Sequence, residues 1–337
     1  MKIVNAGGLS PASGLQQAQR ANAKALWPYI STRMNQGKGF FWKVRQQTAP
    51  GITPVLKGGL QTDLMSEFLT RDESGLWKFR ARDNNAVKRS ALLVKKLQNA
   101  DDDSIIFERN MLQMGMSADG YLTHGKGSMF PDPLTDYDVF EAGSAGWTFV
   151  CDLCIPANGF NAKVTYSDDS VKTWTINNGE HPWALLGSRA IRDATGRAFS
   201  IYVDGQAGAS QGRLFIRHRG ATALWSQTDW SLDLRVGPTR HRLIMGWDQA
   251  SGEINVWSQS NSETTPIATK TGVVQDLDVA PADGKKMRLW GVGTEGDGAS
   301  LNINGGFFSI LGFAHDPTLH TSDTKRAALW DWMDSEL

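Results

Sequence analysis

Residues 241–258, HRLIMGWDQASGEINVWS, constrain the fold more than any other stretch of the chain. The stretch holds two runs in which alternate residues are large and apolar, and alternate residues of a strand share one face. These residues are Leu243, Met245 and Trp247 in the first run and Ile254 and Val256 in the second. The polar segment between the runs ends in Gly252, which can adopt the positive φ that tight turns require. The pattern predicts a β-hairpin.

Short runs of this kind recur through the second half of the chain. Besides the hairpin, strands are predicted at 147–155, 162–166, 173–176, 198–203, 213–219, 223–225, 288–292 and 307–312. The 35 Gly and 13 Trp residues suit short strands, tight turns and large aromatic core residues. Many short strands without intervening helices predict a β-sandwich or jelly roll rather than βαβ units. A last helix is predicted after the capping segment Thr321-Ser322-Asp323.

The first 125 residues predict a smaller, mixed α/β module. Its predicted elements are helices at 14–26 and 84–98 and strands at 39–44, 76–79 and 105–107. The second helix is predicted from the spacing of its apolar residues, Val87, Ala91, Leu92 and Val94. The triplet Asp101–Asp103 that follows is predicted to be a solvated turn, with Ca²⁺ binding as the alternative.

The charge of the chain is unevenly distributed, although its formal net charge is zero. Residues 1–125 hold 17 Lys/Arg against 10 Asp/Glu, whereas residues 126–337 hold 18 against 25. This split favours two modules joined by a connector. Residues 1–125 are the predicted N-terminal anchoring or oligomerisation module, with two helices. Residues 126–143 are the connector, and residues 144–337 are the sandwich with its closing C-terminal helix. The alternative is chance variation on solvated faces. The basic part contains no run of five or six Lys/Arg, so we expect no nucleic-acid partner.

The two cysteines, Cys151 and Cys154, form a C-x-x-C pattern within a predicted strand. Residues three apart on a strand point to opposite faces, which is unsuitable for one disulfide or one metal. The pattern therefore predicts two buried free thiols.

Several segments of the chain resemble the concanavalin A-like superfamily in its laminin-G-like jelly-roll branch. Residues 147–150 resemble an opening core strand, and 199–203 with 212–217 resemble the next hairpin. Residues 242–257 resemble a further pair of strands. The tail resembles the closing segment, through 307–316, Leu319, Ser322, Leu329 and Trp332. The resemblance covers about residues 140–337. It implies a mainly β, concanavalin A-like β-sandwich jelly roll, whereas residues 1–125 resemble no family that we can name. Members of the superfamily bind sugars, cleave polysaccharides or serve as structural modules, including on bacteriophage particles, and the fold does not choose among these roles.

Hydrolytic chemistry in this superfamily implies a strand that bears Glu-x-Asp-x-Glu, where paired carboxylates act as nucleophile and acid. The nearest segment, Glu295-Gly-Asp297, lacks the third acid and lies in a Gly-rich loop, so we expect no enzyme. Lyase chemistry would rest on Arg217-His218-Arg219. Successive residues of a strand point to opposite faces, so these three side chains are not expected to form one catalytic cluster. Glu295 and Asp297 are instead candidate Ca²⁺ ligands.

Aromatic residues in polar loops can stack on sugar rings. Trp183, Trp225 and Trp230 are the candidates for carbohydrate binding, because each is predicted to lie in or beside a loop. Most of the other Trp residues are expected in the core.

The expected function is that of a non-enzymatic virion structural protein of a tailed phage, a tail or receptor-binding component. The chain begins without the apolar core of a signal peptide, and no apolar run approaches the ~18 residues of a membrane span. We therefore expect synthesis in the host cytoplasm, no membrane insertion and assembly into a virion. Expected partners are other virion proteins, further copies of this chain and a cell-surface glycan. A homotrimer fits both the tail and the capsid placement. The alternatives are a capsid decoration protein, a free carbohydrate-binding lectin, and a glycan lyase or hydrolase with an unfamiliar site.

Overall fold

The structure is a computed structural model. It describes residues 39–43, 69–71, 77–79, 90–116, 127–128, 145–154, 156, 159–166, 169–176, 183–187, 199–204, 212–218, 229–236, 239–259, 262–272, 288–292 and 306–334. The predicted first helix at 14–26 and the predicted strand at 223–225 lie outside these residues.

The larger of two antiparallel sheets contains twelve strands. Its strands are β1 (Gly39–Lys43), β2 (Leu69–Arg71), β3 (Trp77–Phe79), β4 (Ser90–Asn99), β5 (Ile105–Met116), β7 (Gly146–Cys154), β8 (Asn161–Tyr166), β9 (Val171–Thr175), β14 (His241–Asp248), β15 (Glu253–Ser258), β16 (Ala268–Lys270) and β18 (Gly306–Ala314). The main path runs β16-β15-β14-β7-β18-β5-β4-β3-β2, with β1 paired to β18, β8 to β4 and β9 to β8.

The smaller sheet contains six strands in the order β13-β12-β11-β10-β17-β6. They are β6 (Gly127–Ser128), β10 (Trp183–Gly187), β11 (Phe199–Asp204), β12 (Gly212–His218), β13 (Asp229–Val236) and β17 (Arg288–Val292). Helices α1 (Thr318–Thr321) and α2 (Asp323–Asp334) follow β18. Two antiparallel sheets with a closing helix confirm the predicted jelly-roll sandwich.

The predicted hairpin is confirmed as β14 and β15, with Trp247 opposite Ile254 and Met245 opposite Val256. Gly252 has a φ of +66°, and its N–H donates to the carbonyl of Asp248 at 2.9 Å. This positive φ is the reason why glycine closes the turn.

Both faces of the central strands are buried, because the C-terminal helices cover the outer face of the larger sheet. All nine residues of β7 are buried, including Cys151 and Cys154, which confirms the predicted free thiols. The outer core joins apolar residues of β7, β14, β15 and β18 to those of the helices: Val150, Ile244, Trp257, Ile310, Ala314, Leu319, Leu329, Trp330, Trp332 and Met333. Each large side chain buried in this way contributes about 1.5–3 kcal/mol.

The predicted C-terminal helix is confirmed as α2. Ser322 precedes it, and its Oγ accepts a hydrogen bond from the N–H of Lys325 at 3.4 Å, which is the contact of an N-cap residue. No helix in the described part of the chain is long and apolar enough to cross a membrane.

The predicted helix at 84–98 is wrong, because residues 90–99 form strand β4. Val94 and Leu97 are both fully buried although they are three residues apart. The pairing of β4 with β5 and with β8 shifts register between Val94 and Lys96, which is the signature of a β-bulge. The bulge brings residues three apart to one face, so a strand produces a spacing that resembles that of a helix.

The larger sheet does not follow the predicted boundary at residues 126–143. β4 pairs with β8, β5 pairs with β18, and β1 also pairs with β18. Strands from the predicted N-terminal module therefore complete the sheet of the sandwich.

Candidate functional site

Two of the three candidate carbohydrate-binding tryptophans lie on strands of the smaller sheet. Trp183 begins β10 opposite Val203, and Trp230 lies in β13 opposite Ile216. Trp183, predicted in a loop, is instead the first residue of its strand, whereas Trp230, predicted beside a loop, is the second residue of its strand. Two strands separate β10 from β13, so at ~4.8 Å per strand the two backbones lie about 14 Å apart, too far for one sugar ring. Trp225 lies outside the described residues, and carbohydrate binding by these residues stays a prediction.

The candidate Ca²⁺ ligands Glu295 and Asp297 lie outside the described residues, so this site also stays a prediction. Among the residues whose placement the structure describes, no three His, Cys, Asp or Glu side chains form a group that could hold a metal.

The Asp101–Asp103 triplet is the exposed turn between β4 and β5, as predicted. Asp102 accepts a hydrogen bond from the N–H of Ser104 at 2.9 Å, and Asp103 pairs with Lys163 at 2.6 Å. The bonds from Ser104 lower the pKa of Asp102. Neighbouring groups thus satisfy these carboxylates separately.

A group of charges in the described part of the chain centres on Asp152 of β7. Asp152 is fully buried, and Arg240 donates to both of its oxygens, from Nε to Oδ1 at 2.7 Å and from Nη2 to Oδ2 at 2.5 Å. Oδ2 also accepts from Ser309 Oγ at 2.8 Å, and from Arg109 Nη1 and Arg242 Nε at 3.3 Å each. We call Asp152, Arg109, Arg240 and Arg242 the arginine cluster.

The sheet register explains how the arginine cluster forms. Arg242 on β14 lies directly opposite Asp152 on β7, and Ile310 of β18 lies opposite Asp152 on the other side. The pairing of β18 with β7 shifts between Phe308 and Ile310, and Ser309, in that shift, bonds to the carboxylate.

Arg242 also ties the end of α2 to the sheet. Its Nη1 donates to Oδ1 of Asp334 and, at 2.6 Å, to Oε1 of Gln259. Nε2 of Gln259 in turn donates to Oδ2 of Asp334 at 2.8 Å. The cluster therefore helps to hold the closing helix against the hairpin.

Several donors of the cluster have no acceptor among the described residues. A guanidinium carries five N–H donors, yet Arg109 makes one hydrogen bond, to Asp152 over 3.3 Å. Arg240 bonds through Nε and Nη2, which leaves Nη1 available. The side chains of Arg109 and Arg240 are 33% and 29% exposed, so solvent reaches both.

The electrostatics of the cluster keep Asp152 ionised. Burial alone would raise the pKa of Asp152, but the hydrogen bonds and charge of Arg240, the charge of Arg242 and the Ser309 hydroxyl hold it below its usual range. Asp152 is therefore ionised and already occupied by donors, so it cannot serve as a general acid. Burial and the charge of Arg240 lower the pKa of Arg109, although a guanidinium stays protonated in proteins.

A second polar group surrounds His320, a fully buried residue of α1. Thr148 Oγ1 donates to the carbonyl of Asp316 at 2.6 Å and lies 2.8 Å from His320 Nδ1. Because the hydroxyl has one proton to donate, Nδ1 must carry the proton of the ring. Burial lowers the pKa of His320 to about 3. This histidine is a neutral packing residue.

Sequence patterns did not identify the arginine cluster, although one signal was present. Asp152 interrupts the apolar run WTFVCDLC, and a charge in a strand buried on both faces requires a partner. Its partners are 43, 88 and 90 residues away in sequence, so only the sheet register reveals them.

No protein-family model matches the chain, and no curated protein matches it. Among solved structures, the chain is similar to the CBM40 of the Ruminococcus gnavus IT-sialidase bound to α2,3-sialyllactose, at 14% identity and a TM-score of 0.35 over 62% of this chain and 94% of that one. It is similar to lectin UEA-II complexed with galactose, at 10% identity and a TM-score of 0.32 over 82% of this chain and 97% of that one. It is also similar to Trypanosoma rangeli sialidase, at 12% identity and a TM-score of 0.31 over 95% of this chain and 39% of that one. Similarities at this level do not distinguish binding from catalysis.

Proposed function

We propose that this chain is a non-enzymatic, glycan-binding jelly-roll protein of a tailed-phage virion, in the role of a tail or receptor-binding component. The observation that carries the binding function is the arginine cluster, where partly exposed guanidinium donors gather beside a buried carboxylate. Such a group can hold a ligand. It supplies no nucleophile and no proton donor with which to cleave one.

A hydrolase or lyase is the alternative that the geometry favours less. Glycoside hydrolysis uses two carboxyl groups, one of which acts as an acid with a raised pKa. The carboxyl group at the centre of the cluster, Asp152, has a lowered pKa and is occupied by donors. Release of reducing ends or unsaturated sugars by the protein would establish the enzymatic alternative.

The virion placement rests on the sequence. The opposite net charges of residues 1–125 and 126–337 suit contacts between subunits. Since β1, β4 and β5 belong to the larger sheet, we assign the anchoring contacts to residues 1–38, which precede β1. These residues include the predicted helix at 14–26.

The test combines solution mass by light scattering with a glycan array, both on the full chain. The proposal expects a homo-oligomer that binds glycans and releases no product. A monomer that binds glycans would favour a free lectin, and an oligomer that binds no glycan would favour a capsid decoration protein. A chain that neither oligomerises nor binds glycans would contradict the proposed function.

A further inference from the structure

We infer that Arg109 and Arg240 form a binding site for the carboxylate or sulfate group of an acidic glycan. The inference rests on the proposed function and specifies which class of glycan the protein takes. It starts from the surplus of donors at the arginine cluster, since Asp152 already accepts bonds from Arg240, Ser309, Arg109 and Arg242.

The surplus is also one of charge. Three guanidinium groups face two carboxylates, those of Asp152 and Asp334, which leaves one positive charge in the cluster. The excess falls on Arg109, because it reaches Asp152 only at 3.3 Å while Arg240 bonds to the same carboxylate at 2.5 Å. Arg109 has thus lost part of its hydration without gaining a close partner. An added anion would supply that partner.

Arg240 is held in a fixed plane, which makes its free edge a defined donor. Its guanidinium lies over the ring of Phe107, with 4.7 Å between Cζ and the ring centroid, and the ring itself is buried. Stacking on the ring and two bonds to Asp152 fix the orientation of the group. Planar guanidinium donors in a fixed geometry match the paired oxygens of a carboxylate or sulfate.

The same features do not suit a nucleic acid. Recognition of a phosphate backbone uses many Lys and Arg residues along a face, and it gives the domain a strongly basic character. The chain has a net charge of zero, and residues 1–125, which are basic and include Arg109, contain no run of five or six Lys/Arg. A single group of two available guanidiniums fits an isolated anionic substituent on a sugar better than a repeating phosphate backbone.

The decisive experiment measures the thermal unfolding midpoint in sodium sulfate against sodium chloride of equal ionic strength. It compares the wild-type chain with R109Q, R109K and K163Q. Lys163 is a matched control because it is also a partly exposed cation, 34% exposed and paired with a carboxylate, but it lies away from the cluster. R109Q should fold, since Arg109 contributes one long hydrogen bond and four donors to Asp152 remain.

Sulfate raises unfolding midpoints in general, so the informative quantity is the difference between variants. We expect R109Q to weaken the apparent sulfate affinity about tenfold relative to K163Q, the loss of one charge-assisted hydrogen bond. R109K should be intermediate, because it keeps the charge but loses the planar fork. Equal sulfate responses in R109Q and K163Q would overturn the inference.

A glycan titration then separates the inference from the proposed function. The probes are an oligogalacturonate and its methyl ester, which removes the charge, together with dextran sulfate and unsulfated dextran. A preference for the charged probe of a pair that falls about tenfold in R109Q supports the inference. The pair that shows this preference identifies the bound group as a carboxylate or a sulfate. Equal binding of charged and neutral probes overturns the inference and leaves glycan binding intact. A sulfate effect that depends on Arg109, with no binding to any glycan on the array, contradicts the proposed function and the glycan assignment while the anion site remains.

Discussion

Replacement of Asp152 by Asn tests whether the arginine cluster is built on a buried negative charge. Asn keeps the size of Asp and one acceptor oxygen, but it removes the charge. Its amide N–H groups would also face the N–H groups of Arg240 and Arg242, which now approach the carboxylate at 2.5 to 3.3 Å. The guanidiniums would then repel one another, with Asp334 as the remaining counter-charge within the described cluster.

The expected loss is about 3 kcal/mol in the free energy of unfolding. Removing one partner of a buried ion pair costs about 3–5 kcal/mol. The lower end applies because the three arginines are 12% to 33% exposed and can turn toward water. The stabilisation by Asp152 is present above the ordinary carboxyl pKa of about 3.9 and is lost as the pH falls through its lowered value in the folded protein.

Urea unfolding followed by tryptophan fluorescence measures this loss, and D103N is the matched control. Asp103 also accepts an ion pair, from Lys163 at 2.6 Å, but its side chain is 65% exposed. We expect D103N to cost about 0.5 kcal/mol or less, because exposed pairs contribute little. If D152N cost no more than D103N, the cluster would not depend on a buried charge.

Three further predictions concern the buried groups of the outer core and β7. His320 has a pKa of about 3 in the folded protein against 6.5 when unfolded, so stability should fall as the pH drops below about 6.5. The free energy of unfolding should be about 2 kcal/mol lower at pH 5 than at pH 8. Urea titrations measure this dependence, and H320N should flatten it. G246A should destabilise the fold by about 2 kcal/mol, because its Cβ would lie 2.0 Å from His320 Nδ1, and an added H320A should recover part of the loss; an additive double variant would refute the clash. Cys151 and Cys154 should not react with a thiol reagent until the protein unfolds, because burial and the charge of Asp152 raise both pKa values; rapid labelling of the native protein would contradict this.

The sandwich could be predicted because its strands carry local signals. In the β14–β15 hairpin, apolar alternation and a turn glycine agree, and Gly252 takes the positive φ that its position implied. The last helix likewise follows Ser322, a residue that commonly caps helices. Where propensity, spacing and turn residues agree, the sequence alone is sufficient to predict the element.

The fold departs from the sequence prediction where distant contacts override local spacing. Val94 and Leu97 of β4 are three residues apart, as on one face of a helix, but a bulge between Val94 and Lys96 lets both pack into the same core from a strand. Pairing with β5 and β8 on either side stabilises this strand, and neither partner is visible in the local sequence. The strands β10 and β13 were missed in a related way, because the residues around Trp183 and Trp230 resemble loops.

The candidate site could not be predicted, since its residues come from three separate strands and the segment before β14. Asp152 and Arg240 are 88 residues apart, and Arg242 and Asp334 are 92 apart. Only the register of β7 with β14 brings Asp152 opposite Arg242. Without that register, each arginine resembles an ordinary surface residue.

One measurement tests glycan binding without catalysis most directly. The full chain is titrated with an acidic oligosaccharide and with its neutral ester, and the same samples are then analysed for cleavage products. We predict saturable binding of the acidic oligosaccharide, weaker binding of the ester and an unchanged oligosaccharide at the end. Release of reducing ends or unsaturated products, or the absence of any binding, would contradict the proposed function.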